Sequence, residues 1–126
     1  MWVRLDDERL VEIYRGEFLP ERPAPPALVT LLGELQNEPW SDAVWAVTSL
    51  NKLRLTTAPS WEQAERFAFI TVGSSDGADG FAASFFAAGA RTPMVERGCS
   101  QGELSAVVAS MVERHLRPCS RTPTSL

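Results

Sequence analysis

Apolar residues recur along this chain with two different periods. In "LSAVVASMVERHL", Leu104, Val107, Val108, Met111, Val112, His115 and Leu116 fall at helical spacing and form a single stripe. Leu28, Leu31, Leu32 and Leu35 do the same after Pro26, a residue suited to the first position of a helix. The pattern predicts helices over 26–37 and 100–116, the first ending before Pro39.

Elsewhere the period shortens. "RFAFITVG" (66–73) is almost wholly apolar and β-prone, as expected of a central strand covered on both faces. "SSDGADG" supplies turn chemistry, "FAASFFAA" (81–88) makes the returning strand, and "PMVE" (93–96) adds a short one. "WSDAVWAVTSLNKLRLTTAP" (40–59) reads as one or two strands, clearest at "LRLTT", although Ser41 also suits the cap of a short helix through Ser49. "WVRLDDERLVEIY" (2–14) fits a hairpin turning at "DDE", with a short helix capped by Asp6 as the alternative. "LPERPAPPA" (19–27) carries four prolines and serves as an extended connector, the other reading being a ligand for an aromatic groove. The expected fold is α+β: an antiparallel sheet of about 4–5 strands with the helices at 26–37 and 100–116 packed on one face. Residues 1–118 form one domain in this reading, and 119–126 a polar tail.

Composition narrows the functional classes. A chain of 126 residues with 44% hydrophobic and 22% charged positions is long enough for one core without staples. Its net charge of −4 offers no basic field, and its eleven arginines and one lysine are scattered, so no nucleic-acid partner is expected. The preference for Ala and Arg over Lys fits a GC-rich bacterial genome. No stretch approaches the roughly 20 apolar residues of a membrane span, and "MWVRLDDERL" lacks the pattern of a secretory signal. The expectation is a soluble cytoplasmic protein with no membrane partner. Cys99 and Cys119 bracket the second helix, too far apart to bridge while it is intact, and are expected as free thiols.

One short stretch carries catalytic letters. Gly98-Cys99-Ser100-Gln101-Gly102 matches G-x-S-x-G, and over these few residues the chain resembles serine esterases of the cutinase type, which implies Ser100 as nucleophile on a strand-to-helix turn. Cys99 is the alternative nucleophile of a small cysteine hydrolase. Such a serine needs a histidine base, and the only histidine, His115, follows fifteen residues later on the same predicted helix. At 1.5 Å per residue that is roughly 22 Å, against the ~3 Å that proton transfer requires. Ser100 with Glu103 three residues on also matches a capping box, which needs only local chemistry. The serine is therefore assigned to the start of the helix.

The remaining motifs point to no metal and no cofactor. "GSSDGADG" fits neither phosphate-loop spacing nor a calcium loop, and His115 has no partner at ligand spacing. Trp40, Trp45 and Trp61 fall within a short span and are the candidate binding residues, since exposed tryptophans anchor protein interfaces. The function expected is that of a small non-catalytic binding protein acting by protein–protein contact on a basic partner, in the manner of a bacterial immunity protein or effector chaperone; the alternative is a small serine or cysteine hydrolase. A homodimer through an exposed sheet edge is compatible with either.

Overall fold

The computed structural model describes residues 2–12, 26–49, 52–74 and 80–118. Six strands form one antiparallel sheet in strict sequence order: β1 (Trp2–Arg4), β2 (Trp45–Ser49), β3 (Lys52–Thr56), β4 (Phe69–Ser74), β5 (Gly80–Phe86) and β6 (Val95–Ser100). Two helices accompany it, α1 (Pro26–Leu35) and α2 (Leu104–Met111), the latter continued by a π-helical turn over Val112–Leu116. The α+β architecture is as expected, with six strands where four or five were anticipated.

The register sorts side chains onto two faces. Val3 pairs with Ala46, Ala46 with Leu55, Leu55 with Ile70, Ile70 with Phe85 and Phe85 with Val95. Leu53, Val72 and Ala83 lie one pleat repeat away on the same face. Apart from Val95, which packs against it partly buried, these residues share one core cluster with Leu28, Leu31, Leu32 and Leu35 of α1 and with Leu104, Val108, Met111 and Val112 of the second helical segment. Both helices therefore cover the same face of the sheet. In α1 only the stripe pointing at the strands is apolar, Thr30 and Glu34 being exposed.

Local chemistry explains where the boundaries fall. Pro26 opens α1, and its last carbonyls are taken by turn bonds from Gln36, Asn37 and Glu38 before Pro39. Residues 10–12 are helical, so the hairpin expected within 2–14 does not form. Instead β1 pairs with β2, and the Asp7 carboxylate, rather than Asp6, accepts from the Arg9 N–H at 2.8 Å. Long-range pairing with a five-residue strand outweighs the local turn. The 40–59 stretch resolves into a 3-10 turn (Ser41–Ala43) followed by the β2–β3 hairpin. The β4 strand is not buried on both faces: Ile70 and Val72 are fully buried, whereas Phe69 and Thr71 are half-buried on the side away from the helices. The last strand begins two residues later than "PMVE" suggested and runs on through Ser100. The proline connector up to residue 25, the turn at 75–79 and the tail at 119–126 lie outside the described residues.

Candidate functional site

The "GCSQG" turn is built for helix initiation. Cys99 and Ser100 end β6, a 3-10 turn covers Gln101–Glu103, and α2 begins at Leu104. Ser100 and Glu103 form the capping box: the Ser100 N–H donates to Glu103 Oε1 at 3.3 Å and the hydroxyl donates to the same oxygen at 2.8 Å. This pairing holds the Glu103 carboxyl below its usual range, because both bonds favour the ionised form. The hydroxyl hydrogen is directed at the Glu103 carboxylate and not at the imidazole of His115. His115 stacks on Phe85, ring centroids 4.6 Å apart, after the helical segment has run its length. Cys99 is a free, half-buried thiol whose pKa is pushed up by burial and then by the Glu103 charge, the opposite of an activated nucleophile.

The tryptophans do not form one cluster. Trp40 is 5% exposed and belongs to the core, where its indole N–H donates to Glu113 Oε1 at 3.1 Å. Trp45 points to the other face of the sheet, since its neighbour Ala46 faces the helices. Trp61 opens a 3-10 helix (Trp61–Arg66) in the β3–β4 connection. The residue that joins Trp45 is Trp2, from the opposite end of the sequence. Strand pairing of Trp2 with Val47 and Arg4 with Trp45 sets both indoles on one face. They line the same surface depression of about 540 Å³, together with Arg4, Asp6, Asp7, Glu8 and Arg9. Two of these acids are paired, Asp6 with Arg4 and Asp7 with Arg9. The bond from the Arg9 backbone N–H is the main reason the Asp7 carboxyl titrates below its ordinary range.

Across the sheet the same face continues as an aromatic row. Phe69 and Phe86 stand directly opposite on β4 and β5 and stack at 4.7 Å with planes 10° apart. The Arg54 guanidinium, on β3, lies 4.1 Å over the Phe69 ring, so cation and two rings step across three adjacent strands. Arg54 Nε is buried without a hydrogen-bond partner, and its pKa is lowered by burial. Among the described residues no carboxylate pairs with it. At one end of the face Thr56 is fully satisfied, donating to the Ala68 carbonyl and accepting from the Ala58 N–H. The Trp2 indole N–H donates to the Ala58 carbonyl at 2.8 Å, fastening the β3–β4 connection against β1.

Sequence reasoning missed Trp2, Arg54, Phe69 and Phe86 as members of one surface because they come from four different strands. The available signal was alternation: within "FAFITVG" the phase that places Ile70 and Val72 inward puts Phe69 outward. The sheet's two edges are β1 and β6, and β6 carries exposed Glu96 and Arg97, charges that discourage edge pairing. Among the described residues no cluster of metal-ligating side chains occurs, and no helix is long and apolar enough to cross a membrane. A scan against protein-family models found no match, and searches of curated proteins and of solved structures found no significant similarity.

Proposed function

We propose that this protein is a non-catalytic binding domain that engages a protein partner through the sheet face opposite its helices. One observation carries the reading: Trp2, Trp45, Phe69 and Phe86 are all half-buried on that face, outside the core cluster that the helices cover. Large rings that neither complete the core nor avoid water are the residue types that anchor protein interfaces. Apolar area bordered by charged side chains, here Arg4, Asp6, Asp7, Glu8 and Arg9, is the anatomy of such a surface. The acidic balance of the chain steers it toward a basic partner. A cytoplasmic immunity protein or effector chaperone acts in this way, by occupying a partner rather than transforming it.

The test is affinity capture from the source cells with the wild-type chain and with Trp2→Ser and Trp45→Ser variants, each checked by circular dichroism for an unchanged fold. A specific protein retained by the wild type and by a helix-side control, Arg114→Gln, but lost from both tryptophan variants supports the reading. Equal retention by all four proteins refutes it.

A further inference from the structure

Arg54 is the one feature of the open face that the fold itself does not explain. A guanidinium carries five N–H donors in a planar fork and is satisfied best by a carboxylate that meets two of them at once. Here its Cζ lies 4.1 Å over the Phe69 ring centroid, and no acceptor reaches its buried Nε. The cost of holding it half out of water is not returned by any ion pair among the described residues. Contact with Phe69 restricts the guanidinium in a way that an exposed arginine escapes, so less freedom is lost when a carboxylate meets it. An apolar residue at this position would serve the sheet as well and would cost less to bury.

Resting on the reading of this face as a protein-binding surface, we infer that Arg54 is the anchor for a side-chain carboxylate of the partner, an aspartate or glutamate set among apolar residues that cover Trp45, Phe69 and Phe86. Charge complementarity selects this occupant. Among the described residues Arg54 is a positive group of this face with no carboxylate partner, and closing apolar surface over it without an anion would leave that charge desolvated and unpaired. A partner that is basic overall, drawn in by the chain's net charge of −4, therefore still places one acid at the centre of its contact surface.

The experiment selects binders from a library of displayed random peptides against the wild-type chain, and measures each enriched peptide against wild type, Trp45→Ser, Arg54→Gln and Arg54→Lys. The expected result is an Asp or Glu at a fixed position. Its replacement by Asn or Gln weakens binding to the wild type about tenfold to a hundredfold, and to Arg54→Gln less than about twofold. Arg54→Lys, which keeps the charge but not the planar fork, falls between. The peptide-side exchange is read on the wild-type protein, so the result does not depend on how the arginine variants fold. Peptides that need Trp45 but carry no fixed acid, or whose acid counts equally on wild type and Arg54→Gln, overturn the inference and leave the binding face standing. Failure to enrich any peptide that Trp45→Ser abolishes removes the face and the inference together.

Discussion

Trp40 and Trp45 are close neighbours in sequence and stand on opposite sides of the sheet. The first is sealed in the core with its indole nitrogen bonded to Glu113; the second is half-buried on the face the helices leave uncovered. The 3-10 turn at Ser41–Ala43 and the first residues of β2 carry the chain from one environment to the other. The two tryptophans therefore do different physical work.

Their substitutions separate accordingly. Trp40→Ala removes a fully buried ring and is expected to cost about 3–5 kcal/mol. Trp40→Phe, which keeps most of the volume but abandons the Glu113 bond, should cost about 1 kcal/mol. Trp45→Ala should cost less, about 1–3 kcal/mol, because part of its side chain already meets water. Urea unfolding of the three variants orders them; a Trp45 cost equal to that of Trp40 would place Trp45 in the core.

The fold was legible where a single period persists over many residues. The Leu28–Leu35 and Leu104–Leu116 stripes mark helices and name their buried residues, and the turn residues around 75–79 separate two strands. The site was not legible, because β-sheet neighbours are set by pairing and not by proximity in sequence. Trp2 meets the Trp45 region through β1–β2 pairing, across more than forty residues. Nothing in "WVRL" announces that partner; the local turn at "DDE" even suggests a different one. Likewise Arg54 and Phe69 are brought together diagonally across β3 and β4, a relation that only the register reveals.

The capping box predicts a specific loss. Ser100→Ala should destabilise the protein by about 1 kcal/mol, lowering the melting temperature by about 3–5 °C. A fluorophosphonate probe should leave the folded wild type unlabelled. Labelling of Ser100 in stoichiometric amount would reopen the hydrolase reading.

Glu103 gives the same motif a pH signature. Its carboxyl titrates below the ordinary value of 4.5 in the folded state, so its stabilising effect is fully present above that value. As pH falls through the lowered folded value the effect disappears, since the protonated acid no longer favours the native pairing. The stability gap between wild type and Glu103→Gln should therefore be constant from pH 7 to about pH 5 and close on further acidification. Thermal melts of both proteins across that range measure it, and a gap that widens toward acid would contradict the assignment.

Cys99 should behave as an inert thiol. Burial and the nearby Glu103 charge both disfavour the thiolate, so alkylation by iodoacetamide near neutral pH should run well below the rate of a small-molecule thiol. The rate should rise on Glu103→Gln, which removes one of the two causes. Mass spectrometry of the peptide containing Cys99 resolves it from Cys119. Faster labelling of folded than of unfolded protein would identify an activated cysteine.

Arg54 yields the sharpest contrast between stability and function. Two terms oppose each other when it is replaced by Met. The cation–π contact with Phe69 is lost, about 0.5–2 kcal/mol at a largely covered site, while a buried, unbonded Nε is removed, which relieves about 1–3 kcal/mol. Methionine keeps a long apolar stem to lie on the ring. The sum favours the variant, so Arg54→Met is expected to be as stable as the wild type or about 1 kcal/mol more so. Phe86→Leu, by contrast, breaks the stack with Phe69 and should cost about 1 kcal/mol. A charged residue whose removal stabilises the free protein does not owe its place to the fold. If Arg54→Met instead unfolds at lower urea than the wild type by more than about 1 kcal/mol, the arginine is a structural member of the sheet and its place on the open face carries no such meaning.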